Sequence, residues 1–580
     1  MIYRLFLQVL CVALIGVGSA KAAEDAIQPE ISTGKTAQVS KAEGQDFMIV
    51  TANPLATKAG YDILKRGGSA ADAAIAAQLV LGLVEPQSSG IGGGAFVMYY
   101  DAEKKELKSI DGRETAPGLA GPFLFYEDGK PMGFKEAILS GKSVGVPGVP
   151  QLLSHLHQVY GNVTWMELFA EARGLAQNGF EVSPRLAQMI EHHAEDLKYD
   201  AGSAAYFLDE DGKALAAGTI LKNPAYDKTL GDMAFYGVPA FYEGDTASHI
   251  VSAVQNNPNG AGFMTASDLQ GYELKERKPV CAPYRIYVVC SFGEPSSGAL
   301  TMLQTLGMLK NYDLAEMGAD NPKSWSVITQ ASALAFADRN KYIADPDFVN
   351  TPNFALLDPE YLAARAALIN PDKPLETIEA GKPPLWDGPL YAKGNSIDKP
   401  GTSHISVIDK EGNILSMTTT IESAFGSHIM VDGFLLNNEL TDFSFESIGE
   451  DGQLIANMVE GGKRPRSSMS PTIVFDLQGK PVLVVGSAGG SRIIGYVLQR
   501  IIATLDWGMD IDDALAMKHI LARGQVIEME DESAISKELS ANGFNVKTGE
   551  LNSGLTAIQI RGDTYIGAAD PRREGTAMGH

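Results

Sequence analysis

The chain is poor in cysteine, histidine and positive charge, and each shortage narrows what it can do. Of three cysteines, Cys11 sits in an apolar leader, leaving Cys281 and Cys290. Neither stands beside a recognisable general-base motif, so a catalytic cysteine is set aside. The two bracket Ala282-Pro283-Tyr284-Arg285 and the strand-like Ile286-Tyr287-Val288-Val289. They read either as a disulfide or as two buried thiols, because nothing in the sequence fixes the separation a bridge needs. His155, His157, His192, His193 and His249 are scattered and form no set with zinc-site spacing, so no metal is expected. His192 and His193 adjoin in a helical stretch, where neighbours point to different faces, and they read as solvated rather than as ligands. Lys and Arg number 47 against 71 Asp and Glu, a net charge of −24. Such a surface repels phosphate backbones and excludes nucleic acid as a partner.

Long apolar runs are also missing, except at the start. Arg4, the apolar stretch Leu5 to Gly18 and the small-x-small site Ala20-Lys21-Ala22 read as a signal peptide over residues 1–22. The run is too short and interrupted to span a bilayer comfortably, no later segment looks transmembrane, and stable membrane insertion is not expected. The chain is therefore expected to be secreted, and periplasmic in a Gram-negative host, with an uncleaved membrane anchor as the alternative reading of residues 1–22. There is no internal repeat and no low-complexity tract. With 45% hydrophobic and 20% charged residues over 580 positions, the composition is that of a soluble protein with a large core.

Residues 23–45 are polar and small and read as a mobile leader. Met48 to Thr51 reads as a strand, and Leu55 to Leu64 and Ala70 to Leu83 as helices, with Ser69 as N-cap of the second. Gly90-Ile91-Gly92-Gly93-Gly94-Ala95 and the apolar run Phe96 to Tyr100 follow. A dinucleotide fingerprint needs a strand before and a helix after. Here the order is reversed, which leaves close backbone approach inside a packed core. Gly381 to Pro400, rich in Pro, Gly, Asp and Lys, reads as an exposed connector, placed at about 381–401.

After the connector, Thr402 to Ile408 and Ile414 to Thr420 read as a hairpin; a turn centred on Glu411 places Thr402 opposite Thr420, and a bulge there would shift the pairing by one residue. A threonine after a glycine, entering a strand behind a loop, suits a self-cleaving precursor. Its hydroxyl attacks the Gly401 carbonyl to give an ester that water opens. The α-amine released has a pKa of about 7.7–8.0 and can serve as base for its own hydroxyl. Thr420 would orient or hydrogen-bond that hydroxyl. Downstream, the strand Val482 to Val485, the turn Ser487-Ala488-Gly489-Gly490-Ser491 and the helical Arg492 to Leu505 aim backbone N–H groups at a helix start, as an oxyanion hole requires. In Lys463-Arg464-Pro465-Arg466-Ser467-Ser468, paired hydroxyls suit a carboxylate and the basic residues suit nearby anions.

Together these segments resemble the γ-glutamyltransferase (glutathione hydrolase) family, from about Gly44 to the end. The sharpest pieces are Gly67 to Ala74, Glu85 to Gly94, Asp111 to Pro117, Thr402-Ser403-His404, Leu436-Asn437-Asn438, Arg464 to Pro471, Gly489 to Arg492 and Ala569 to Arg572. The resemblance implies an α+β fold, a four-layer αββα sandwich of the N-terminal nucleophile hydrolase type. It implies a heterodimer of large chain 23–401 and small chain 402–580, cut from one precursor. Thr402 becomes the nucleophile, Thr420 its support, and Gly489 and Gly490 the oxyanion hole. Arg113, Ser467 and Ser468 hold the substrate α-carboxylate; Glu422, Glu439 and Asp442 face its α-amino group. No cofactor is implied. The implied reaction passes γ-glutamyl groups from glutathione and related compounds to amino acids, peptides or water.

The chain departs from the family at several places. Position 422 is often an amide there and position 439 varies, whereas both are glutamate here. Ala488 stands where proline is common, and Phe443 to Gly462 carries no tyrosine. Two other functions stand as alternatives: a glutaryl-7-aminocephalosporanic acid acylase of the same fold, and an uncut binding protein. The three acids argue against the first, and intact Thr402, Thr420 and Gly489-Gly490 against the second.

Overall fold

The computed structural model describes residues 29–36, 38–384, 386–394, 396 and 400–580. The expected signal peptide, residues 1–22, lies outside the described residues. Fourteen strands build two sheets. In chain order they are β1 (Ser40–Gly44), β2 (Met48–Thr51), β3 (Gly94–Asp101), β4 (Glu106–Gly112), β5 (Lys275–Arg277), β6 (Val280–Tyr284), β7 (Tyr287–Ser291), β8 (Thr402–Ile408), β9 (Ile414–Thr420), β10 (Thr472–Asp476), β11 (Pro481–Gly486), β12 (Thr556–Arg561), β13 (Thr564–Ala569) and β14 (Thr576–Gly579). One sheet runs β1-β13-β12-β11-β10-β7-β6, the other β14-β2-β8-β9-β3-β4-β5, and every pairing is antiparallel.

Period-two patterning makes the layers. In β3, Val97 and Tyr99 join a core with helices α1 (Pro54–Lys65) and α2 (Ala70–Val84). Phe96, Met98 and Tyr100, on the opposite face, join the other sheet in a second core. Helices α4 (Gly298–Met308), α5 (Pro322–Tyr342) and α6 (Arg492–Leu505) close that core from outside, giving the αββα sandwich. Helix α3 (Pro184–Leu197) packs on the first core. Every residue of α2 is buried, as an apolar-all-round helix requires. Ser69 caps it: its Oγ accepts from Asp72 N at 3.1 Å, and the Asp72 carboxylate accepts from Ser69 N at 2.9 Å.

The cysteine alternative resolves as a bridge. Cys281 and Cys290 face each other across β6 and β7 and are bonded. Two other readings are corrected. The expected mobile leader, residues 23–45, is held in place over its described part, with 23–28 and 37 lying outside the described residues. Glu30 is buried between Arg185 (2.5 Å) and Arg573 (2.5 Å), two interior cations that require a counter-charge, and Ser40–Gly44 forms an edge strand. The connector is not exposed throughout. Tyr391, Ala392, Ser396, Pro400 and Gly401 are buried, with Ala392 N on the Leu454 carbonyl and Asn457 Nδ2 on Ser396 Oγ, because this segment must run into the interior to reach β8.

Candidate active site

The hairpin of β8 and β9 lies mid-sheet with the expected register: Thr402 faces Thr420 and every intermediate pair follows. His404 projects between the sheets, bonded to Thr418 Oγ1 (2.8 Å) and Ser416 Oγ (3.2 Å), and burial pushes its pKa down to about 3. A β-carbon on Gly486 would lie 2.1 Å from this ring, so the facing strand needs a glycine there.

Thr402 and Thr420 are both buried. The Thr420 hydroxyl donates to the Gly401 carbonyl oxygen at 2.7 Å and accepts from Glu422 N at 2.8 Å. The expected partner of Thr420 was the Thr402 hydroxyl; with residues 401 and 402 joined, its proton goes instead to the carbonyl that a Thr402 attack would strike. A β-carbon at Gly401 would lie 2.2 Å from the Glu422 carbonyl oxygen, so that site accepts only glycine without rearrangement. The glycine cluster serves the same hairpin. Helix α2 precedes it and β3 follows, and a β-carbon at Gly93 would meet the Thr420 carbonyl oxygen at 2.0 Å. Arg573, which the sequence reading missed, donates from Nη1 to the Thr402 carbonyl at 3.0 Å, so Glu30 and Arg573 together fix the head of β8.

One cleft is lined by Thr402, Thr420, Gly490, Arg113, Glu422, Glu439, Asp442, Ser467 and Ser468, all of the expected residues except Gly489. Gly489 sits beside it with φ 134° and Gly490 follows with φ 60°. A β-carbon on Gly489 would fall 2.6 Å from Tyr496 Cε2, so packing as well as conformation demands glycine. Ser491, N-cap of α6, makes no side-chain capping bond to the helix start.

Within the cleft the charges pair differently from the expectation. Arg113 Nη1 donates to Glu439 and Nη2 to Asp442 (2.5 Å), with further donation to the Pro465 (3.3 Å) and Arg466 (3.1 Å) carbonyls. The group expected to hold a carboxylate is thus neutralised by two of the acids expected to hold an ammonium. All three are buried, where opposite charges seek each other. Glu422 is set by a left-handed backbone (φ 78°), and its carboxylate accepts from Ser423 Oγ and from Asn438 Nδ2 at 2.5 Å. Ser468 Oγ accepts from Arg339 Nη2 at 2.7 Å, a positioning contact from α5 that no local motif signals.

The basic run does not supply cations to the cleft. Lys463 Nζ is spent on the Ala456 and Met458 carbonyls, and burial lowers its pKa to about 8. Arg464 lies by Asp111 and donates to the Glu273 carbonyl, and Arg466 donates to the Arg339 carbonyl. Phe443 and Phe445 pack in a satellite core, Phe445 stacked on Phe125 at 4.3 Å.

Glu114, also unassigned from sequence, lies beneath this cluster with its Oε2 3.8 Å from Arg113 Nη1. Burial raises its pKa from 4.5 to about 7 against the pull of Arg113. An unfolded chain loses this proton near 4.5 and the folded one only near 7, so the folded state binds more protons in between. The contribution of this group to stability therefore falls as pH rises across that window. Glu114→Gln is expected to flatten the decline, read as a smaller difference between urea midpoints at pH 5 and pH 7.5 than in the parent.

A family model described as gamma-glutamyltranspeptidase matches residues 56–580. The chain is 35% identical over 596 residues to the glutathione hydrolase proenzyme of Bacillus subtilis strain 168, covering 100% of this chain and 98% of that one. It is 31% identical to the acylase ACY 1 proenzyme of Pseudomonas sp. strain SE83, covering 94% and 95%. Among solved structures, the cephalosporin acylase of Bacillus halodurans superposes with a TM-score of 0.82 at 25% identity, over 93% of this chain and 97% of that one.

Proposed function

The chain belongs to the gamma-glutamyltranspeptidase family and is an enzyme, and on that premise we propose that it cuts itself between Gly401 and Thr402 and then transfers γ-glutamyl groups through Thr402. The observation that carries this is the Thr420 hydroxyl on the Gly401 carbonyl, at the head of a hairpin that opens into the acid-and-arginine cleft. In processing, Thr402 Oγ adds to the Gly401 carbonyl carbon while Thr420 donates to the oxygen that gains charge. Collapse expels the Thr402 nitrogen, which takes up the proton given up by the Thr402 hydroxyl, leaving an ester that water hydrolyses. The products are a carboxylate at Gly401 and a free amine at Thr402.

That amine then takes the Thr402 hydroxyl proton as the oxygen attacks the γ-carbonyl of a bound γ-glutamyl amide. Backbone N–H groups at Gly489 and Gly490 receive the oxyanion. The protonated amine hands its proton to the leaving nitrogen, and the γ-glutamyl ester on Thr402 passes to water or to an acceptor amine. A glutamyl head carries both charges, so it can exchange into the existing ion pair: carboxylate to Arg113, Ser467 and Ser468, ammonium to Glu422, Glu439 and Asp442. Glutathione is such a donor. Residues 1–22 direct export, and the Cys281–Cys290 bridge suits an oxidising compartment.

Processed enzyme is expected to release dye from a γ-glutamyl anilide. It should turn over the matching glutaryl anilide at least about 100-fold less efficiently in kcat/KM, since a glutaryl head leaves the acids without their cation. Equal turnover of both, or none of the first, defeats the assignment.

A further inference from the structure

A second polar cluster lies on the first core, among residues that do not line the cleft. Helix α3 carries His193 and Asp196 three positions apart, on one face. His428 comes to them from the segment after β9, and one ligating atom from each residue lies within 4.8 Å of the others. His428 is 4% exposed, and among the described residues neither of its ring nitrogens has a hydrogen-bond partner. Leaving a buried polar group unmatched is costly, so this imidazole asks for a ligand.

The backbone aims it. His428 has φ 63°, its N–H donates to the Phe425 carbonyl at 2.9 Å, and its carbonyl accepts from Ser203 Oγ at 2.6 Å. Phe425 (φ 63°) and Gly426 (φ 57°) share the left-handed conformation, so the turn is held in a costly shape that delivers the ring to α3. The rings of His193 and His428 lie 6.0 Å apart, centre to centre, at 50°.

We propose that His193, Asp196 and His428 bind a divalent transition-metal ion, with zinc as the ion their donors fit best. Two imidazoles and a carboxylate with water in the fourth position make a tetrahedral zinc sphere, with bonds of about 2.0–2.2 Å and donors roughly 3.3 Å apart. Closing from the present spacing takes side-chain shifts on the order of 1 Å, which the half-buried His193 and Asp196 can make. Asp196 also meets Lys135 Nζ at 2.6 Å, but that lysine side chain is 67% exposed and such a pair is weak enough to yield. The pairing of His192 with His193 in sequence gave no hint of this site, because the third donor comes from a distant loop. If the chain is cut as proposed above, the ion ties the large chain to the small one, a few residues beyond Thr420 and Glu422.

The test uses untagged full-length protein, stripped with chelator, dialysed and titrated with zinc sulfate against a fluorescent zinc indicator. One zinc per chain is expected, with Kd below about 10 µM. His193→Ala and Asp196→Asn should each weaken binding by about 100-fold or more, while His249→Ala, at an exposed histidine elsewhere, leaves it unchanged. Thr402→Ala protein should bind zinc equally, which separates this site from the proposed processing. Less than about 0.2 zinc per chain in the parent, or undiminished binding in both α3 variants, overturns the proposal.

Discussion

Alanine in place of Thr402 is expected to leave a single uncut chain on a denaturing gel and to lower γ-glutamyl anilide turnover by more than about 10⁴-fold. Both losses follow from one atom, because the same hydroxyl is assigned to the self-cutting step and to catalysis. Two further variants separate the steps. Gly401→Ala keeps the nucleophile but places a methyl 2.2 Å from the Glu422 carbonyl oxygen, displacing the carbonyl that Thr402 must reach. Processing should slow sharply, while whatever fraction is cut carries the normal Thr402 terminus and turns over normally. Thr420→Ala removes the 2.7 Å donor to the Gly401 oxygen. A donor at a developing oxyanion is worth about 2.7–4 kcal/mol, so cutting should slow by roughly 10²–10³-fold. Edman sequencing of the small chain should begin at Thr402. Mature, active protein with residues 401 and 402 still joined would end this mechanism.

The hairpin could be read from sequence because its information is local. Two strand-like runs flank a short Asp-Lys-Glu-Gly-Asn turn, and a turn centred on Glu411 sets the register that brings Thr402 to Thr420. The glycines at 92–94 were legible as a close approach, though not which residues they approach: Leu435 at Gly92, Thr420 of the hairpin at Gly93 and Glu114 at Gly94. What escaped depends on chain segments far apart. Nothing near Glu30 announces Arg185 and Arg573, and nothing in the basic run shows that Lys463 faces carbonyls. The connector misled because a composition typical of exposed loops also serves a segment that dives into the interior. His428 reads as one more loop histidine until its left-handed backbone and α3 are seen together.

The cleft itself holds the sharpest test of how the head group is held. Arg113 is the cation against which Glu439, Asp442 and Glu114 are buried. Arg113→Gln removes it and leaves these acids facing one another. Breaking a buried pair on one side costs about 3–5 kcal/mol, so the urea midpoint should fall markedly. KM for the γ-glutamyl anilide should rise by roughly 100-fold or more, as a charge-assisted fork to the α-carboxylate is lost. The fall in kcat should be much smaller, because the head group lies away from the reacting carbonyl and binds ground and transition states alike. Arg113→Lys should not restore KM, since lysine offers a point charge in place of the fork. A double variant, Arg113→Gln with Glu439→Gln, separates the two effects. Removing one acid with the arginine relieves the repulsion and should recover much of the stability, while KM stays high because the carboxylate still has no partner. If Arg113→Gln leaves KM unchanged, this arginine serves the acids alone and the head group is held elsewhere.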